Sequence, residues 1–156
     1  MRISRLVSPV LLSLLSLAAT ASRPTTNGPH ATAKPHVEVW KDPNCGCCTA
    51  WVEQLRQHGF DVAFHDTSDV APAKDRGHVP QNLRTCHTAF VNGYVIEGHV
   101  PAADISRLLT EKPAIAGIAV PGMPAGSPGM EMGGHVDHYQ VIAFTRAGAQ
   151  RVYASH

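Results

Sequence analysis

Three cysteines in four positions, Cys45-Gly46-Cys47-Cys48, stand where an alternating apolar stretch gives way to a helical one. That junction limits what the chain can fold into. Val37-Glu38-Val39-Trp40 alternates as a half-buried strand does. Asp42-Pro43-Asn44 then turns the chain, and Thr49 to His58 carries Ala50, Trp51, Val52 and Leu55 at helical spacing before Gly59 stops it. The cysteines therefore fall between a strand and the start of a helix. There, unpaired backbone N–H groups and the helix dipole favour thiolate over thiol.

The rest of the chain extends the pattern. Phe60 to Phe64 alternates again, and Val70 to Arg76 reads as a short helix ended by Gly77. Thr88 to Val91 and Tyr94 to Glu97 flank Asn92-Gly93, a strong hairpin signal. Pro101 to Leu109 predicts a helix that buries Ala102, Ile105, Leu108 and Leu109. A right-handed β-α-β unit makes the first two strands parallel, and the hairpin adds two antiparallel ones. That order predicts an α/β, thioredoxin-like, three-layer domain with a mixed sheet. Residues 113–138 are rich in Pro, Gly and Met without period, and Tyr139 to Thr145 with Arg151 to Ala154 predict a closing β pair that adds strands to a sheet edge.

The N-terminus is a separate matter. Arg2 and Arg5 precede an apolar run, and Ala19-Thr20-Ala21 offers the small-x-small pattern of a cleavage site. The expected organisation is a signal peptide over 1–21, a flexible leader over 22–36 and one folded domain over 37–156, with no membrane span after cleavage. The net charge of +1 falls to about −1 once Arg2 and Arg5 leave, and no basic run is present. Nucleic acid is not an expected partner on that ground.

All four cysteines, Cys45, Cys47, Cys48 and Cys86, lie in the expected domain. Two disulfides are the ordinary expectation for an exported chain. The spacing argues otherwise, because structural bridges gain most by closing long loops and adjacent cysteines rarely pair without strain. Cys45-x-x-Cys48 fits a redox dithiol. Cys47 is surplus to that chemistry, and a third thiolate in one turn suits the bridging of neighbouring metal ions. Cys86-His87 precedes the first hairpin strand, where thioredoxin-like proteins carry the loop that faces the dithiol. His87 is thus a candidate ligand; His99, in Gly98-His99-Val100-Pro101, is either a ligand or a residue that starts the next helix.

Apart from Met1, every methionine sits in one loop: Met123, Met130 and Met132 within Pro121 to Met132. Methionines that fill cores are scattered through helices and strands; a Gly/Pro loop has no face on which to bury them. Thioethers and thiolates select Cu(I) over hard cations, and His135 and His138 follow with imidazole. Zinc has no need of thioethers, iron–sulfur clusters take wider cysteine spacing, and carboxylates do not cluster here. Copper accounts best for Cys, His and Met together.

Lys41-Asp42-Pro43-Asn44-Cys45-Gly46-Cys47-Cys48, Cys86-His87-Thr88, Gly93 to Pro101 and the Pro121 to Met130 run resemble the CopG family of periplasmic copper-resistance proteins, long catalogued as a domain of unknown function. The resemblance covers about Val37 to Tyr153. It implies a thioredoxin-like fold, export to the periplasm, copper tolerance, a cysteine-bridged multinuclear Cu(I) cluster and a copper redox activity. It carries metal ligation onto Cys45, Cys47, Cys48, Cys86, His87, Met123 and Met130; His135 and His138 rest on chemistry alone. Copper ions are the expected partners, with other periplasmic copper-handling proteins behind them. Sequestration, delivery and Cu(I)/Cu(II) cycling all suit the same ligands. The rival reading is a thiol–disulfide oxidoreductase acting through Cys45 and Cys48. A disulfide-stapled adaptor is the third, and it requires that no thiol be free.

Overall fold

The computed structural model describes residues 33–131 and 133–156. The signal expected over 1–21, most of the leader and Met132 lie outside the described residues. Among those described, seven strands form one sheet in the order β2-β1-β3-β4-β5-β6-β7. They are β1 (His36–Lys41), β2 (Asp61–Asp66), β3 (His87–Val91), β4 (Tyr94–Glu97), β5 (Gly117–Ala119), β6 (Gln140–Phe144) and β7 (Gln150–Ser155). The helices are α1 (Gly46–Gln57), α2 (Ala71–Arg76) and α3 (Ala102–Glu111).

β1 and β2 run parallel through the α1 crossover, with Val37 opposite Val62 and Val39 opposite Phe64. β3 returns antiparallel to β1 and pairs with β4 across the Asn92-Gly93 turn. Both turn residues have positive φ (46° and 84°), as a tight two-residue hairpin requires. The expected closing pair is present: β6 and β7 extend the sheet at the edge opposite β2.

Alternation along the strands divides the interior in two. Ala89, Val91, Ile96, Ile118, Val141 and Ala143 face the larger core with Trp51, Val52 and Leu55 of α1 and Ile105 and Leu108 of α3. Val95, Ala119 and Phe144, one residue out of phase, join Val79 and Leu83 in a smaller core on the other face. This is the three-layer, mixed-sheet, thioredoxin-like arrangement. Each large apolar side chain so buried contributes about 1.5–3 kcal/mol.

Two sequence expectations change. Ala50 is exposed, and Cys48 takes its place in the buried stripe of α1 with Trp51, Val52 and Leu55. Spacing of i, i+3, i+4 and i+7 from Cys48 describes that stripe better than one begun at Ala50. The stretch after residue 113 is also not wholly irregular. Gly117–Ala119 forms β5, parallel to β4, and all three of its residues are buried. A strand buried on both faces shows no alternation, and three residues are too few to give a period.

Candidate metal centre

Cys45 is the N-cap of α1, so the cysteines stand at the helix start itself. The turn before it is built by Asp42, whose carboxylate accepts from Asn44 N–H (2.7 Å) and whose carbonyl accepts from Cys45 N–H (3.1 Å). Cys45 Sγ in turn accepts from Cys48 N–H at 3.3 Å, the capping bond usually made by an oxygen. Cys45 and Cys48 are disulfide-bonded, whereas Cys47 and Cys86 are free thiols. Two free thiols run against the stapled-adaptor reading. Cys47 Sγ lies 3.5 Å from Cys45 Sγ.

The loop leading into β3 brings Cys86 to this turn. The ligand atoms of Cys45, Cys47, Cys48 and Cys86 all lie within 4.8 Å of one another, and those of Cys86, His87 and His99 form a second such group. Cys86 belongs to both. Its Sγ is 3.3 Å from His87 Nδ1 and 3.3 Å from His99 Nε2. The four sulfurs and His87 expected from sequence thus converge. His99, which the sequence leaves open, joins them; the only signal for it is its place at the end of the hairpin that carries His87.

The surroundings fix the rings. His99 Nδ1 donates to the Pro128 carbonyl at 2.8 Å, which leaves the Nε2 lone pair directed at Cys86. His87 is fully buried, with its ring 4.5 Å from that of Trp51 and 5.0 Å from that of His99. Trp51 is itself anchored by Nε1–H to the Val100 carbonyl at 2.9 Å. His87 Nε2 is buried with no hydrogen-bond partner. An orphaned buried nitrogen of this kind costs about 1–3 kcal/mol unless something fills its need.

Electrostatics follow from burial. Burial pushes the Cys86 thiol up to about 11, and the nearby Cys47 sulfur adds to the rise. Burial drives His87 well below the usual imidazole value, with His99 and Lys74 acting the same way. His99 is also lowered by burial, against the opposing pull of its bond to Pro128. Both imidazoles are therefore neutral at neutral pH and keep a lone pair for a metal. A cation at the site reverses the balance at Cys86, since its charge stabilises the thiolate that burial disfavours. The donor set of four sulfurs and two neutral imidazoles, with no carboxylate among them, fits a soft metal ion rather than a hard one.

The methionine loop lies over this turn. Gly129, at φ +86°, packs so close to α1 that an added Cβ would sit 2.6 Å from the Cys47 carbonyl oxygen. Glu131 clamps the same loop by accepting from Gln54 Nε2 (2.7 Å) and Gly129 N–H (2.8 Å). Buried Ser127 closes a turn by donating to the Pro124 carbonyl. Met130 follows Gly129 directly and is half-buried, whereas Met123 is 55% exposed. His135 and His138 are exposed; His135 pairs with Asp137 at 2.9 Å rather than with the cysteines.

A thioredoxin-like sheet with a cysteine–histidine centre at the start of α1 defines the class of protein. The chain belongs to the CopG family of copper resistance proteins. It is similar to two solved structures described as copper resistance protein CopG, forms 2 and 1. They are 46% and 47% identical, with TM-scores of 0.75 and 0.74, and each alignment covers 79% of this chain and 98% of the other. Residues 83–130 also match the family described as protein of unknown function DUF411. Comparison with curated proteins gives no match.

Proposed function

We propose that this chain is an exported copper-resistance protein that holds Cu(I) on Cys45, Cys47, Cys48 and Cys86, in a multinuclear cluster bridged by thiolates. The observation that carries this reading is the approach of all four sulfurs to within 4.8 Å of one another. Four thiolates in one small volume share metal ions more readily than they each satisfy a separate one, and Cys47 gives the extra bridge that a dithiol lacks. His87 and His99 complete the Cys86 side. Met130 follows Gly129, which packs against α1 at Cys47, and so is the methionine we assign to the centre, whereas exposed Met123 suits a first contact for arriving copper. Imidazoles tolerate Cu(II) better than thiolates do, so the mixed donor set supports cycling between oxidation states, one electron passing to or from a redox partner. Copper ions are the cargo, and other copper-handling proteins of the periplasm are the expected sources or recipients. No helix among the described residues is long and apolar enough to cross a membrane. Export rests on the segment over 1–21.

The test is anaerobic titration of fully reduced protein with Cu(I), with metal analysis and thiol counting on the same sample. More than one tightly held Cu(I) per chain is expected. The Cys45–Cys48 disulfide favours a second reading, thiol–disulfide exchange on exported proteins. Insulin reduction without metal, together with absence of tight Cu(I) binding, would replace the first reading with this one.

A further inference from the structure

Behind the centre lies a buried charge pair that none of the ligand chemistry uses. Glu97, the last residue of β4, is fully buried, and Lys74 of α2 nearly so. Glu97 Oε1 accepts from Lys74 Nζ (2.7 Å) and from Thr85 N–H (2.6 Å), and Oε2 accepts from Thr88 Oγ1 (2.7 Å). Lys74 Nζ also donates to Thr88 Oγ1 at 3.0 Å. The sequence positions of these partners matter. Thr85 immediately precedes Cys86, Thr88 immediately follows His87, and Gly98-His99 immediately follow Glu97 itself.

The next residue tightens the grip. Gly98 adopts φ +72°, and a Cβ there would fall 2.5 Å from Thr85 Oγ1 and 2.9 Å from the Val120 carbonyl. Its N–H donates to the His87 carbonyl at 3.1 Å. One carboxylate and the glycine after it therefore bind the backbone on both sides of Cys86-His87 and lead directly into His99. A pair kept only for stability gains little from charge, because desolvating two ions offsets most of their attraction and apolar side chains of similar volume serve as well. Directional acceptor bonds to a backbone N–H and a hydroxyl are what an apolar replacement lacks.

We propose that Glu97, with Lys74 as its counter-charge, is a positioning residue that holds Cys86, His87 and His99 in register for the copper site. This rests on the copper reading above. Glu97 touches no metal; it acts through Thr85 and Thr88. Glutamine at 97 has the same shape, but it leaves the buried Lys74 ammonium without a counter-charge. Its amide N–H₂ either faces the Lys74 and Thr85 donors or takes the Oε2 place, where the Thr88 hydroxyl loses its acceptor and has to turn to accept instead.

The test uses Glu97→Gln in two measurements. In the metal-free, disulfide-intact protein, alkylation of Cys86 and Cys47 is followed by mass spectrometry. Cys86 should label at least tenfold faster than in the wild type while Cys47 keeps its rate, since general loosening would raise both. In the reduced protein, Cu(I) affinity against a competing chelator should fall at least tenfold, with a changed thiolate-to-copper ultraviolet band. Unchanged Cys86 labelling, a rise shared equally with Cys47, or unaltered Cu(I) affinity overturns the proposal. Should wild-type protein bind no Cu(I), the copper reading fails by itself and the labelling ratio still decides whether Glu97 positions Cys86. If Glu97→Gln does not fold, Thr88→Val removes the hydroxyl link without stranding a charge, and the same ratio and affinity decide.

Discussion

The sulfur of Cys86 stands 3.3 Å from Nε2 of His99, and the other nitrogen of that ring is tied to the Pro128 carbonyl at 2.8 Å. One imidazole thus links a free thiol at the start of β3, the end of the β3–β4 hairpin and the methionine loop. It stands at the centre and holds the loop that covers it.

Replacing that ring separates the two roles. His99→Ala should lower Cu(I) affinity at least tenfold and release the 121–131 loop. Chelator competition reads the first effect, and faster proteolytic cleavage within the loop reads the second. Lower affinity with unchanged cleavage would mean that Glu131 and Gly129 hold the loop without His99.

Cys47 has no disulfide partner, yet its sulfur lies 3.5 Å from that of Cys45. Cys47→Ser should reduce the number of Cu(I) ions held per chain and leave the fold intact, because the side chain is not part of the buried stripe of α1. Metal analysis with far-ultraviolet circular dichroism checks both. An unchanged copper count would remove the bridging role.

The bond between Cys45 and Cys48 makes copper capacity depend on redox state. A sulfur in a disulfide has no thiolate to offer, so oxidised protein keeps only Cys47 and Cys86 as thiolate donors. Protein prepared without reductant should bind fewer Cu(I) ions, and more weakly, than the same protein after disulfide reduction. Equal capacity before and after reduction, at verified thiol counts, would show that these two cysteines are not ligands.

Most of this arrangement is legible in the chain because it lies close to signals with strong local physics. The alternation of Val37 to Trp40, the Asn92-Gly93 turn and the Pro101 helix start each fix an element with few alternatives, and with them the placement of Cys86 opposite the cysteine turn. What escapes is of two kinds. β5 is short and buried on both faces, so its Gly-Ile-Ala carries no period. His99 and Glu97 act through partners 13 and 23 residues away, Cys86 and Lys74, and no spacing rule reaches that far. The methionines fall between. Their clustering is plain in the sequence, but only packing distinguishes half-buried Met130, beside the close approach of Gly129 to α1, from exposed Met123.

That close approach is open to test. Gly129 combines a left-handed backbone with a Cβ position 2.6 Å from the Cys47 carbonyl and 2.9 Å from the Trp51 nitrogen. Backbone atoms cannot swing aside as a side-chain tip can. Gly129→Ala should push the loop off α1 at a cost of about 1–3 kcal/mol in strain and raise the exchange rate of the amides at position 129 and Met130. Copper should still bind through the sulfurs, with lower affinity if Met130 contributes. Wild-type amide exchange in this variant would show that the loop accommodates the methyl group in place.

Acid stability offers a readout that needs no copper. In the metal-free chain, burial holds the His87 pKa well below its usual value near 6.5. Above pH 6.5 the ring is neutral in both folded and unfolded chains, so it adds no pH dependence. Below 6.5 the unfolded chain takes up a proton that the folded one refuses, and stability falls as pH falls until the lowered folded pKa is reached. One such group gives a slope of up to about 1.4 kcal/mol per pH unit. His99 is shifted in the same direction and adds a smaller share, because it is less deeply desolvated. Urea unfolding of metal-free protein between pH 7 and pH 5 should show this loss, and His87→Leu should flatten it while changing stability at pH 7 by a different, pH-independent amount. If the variant and the wild type lose stability in parallel over that range, the buried ring is not the group that takes up the proton on unfolding.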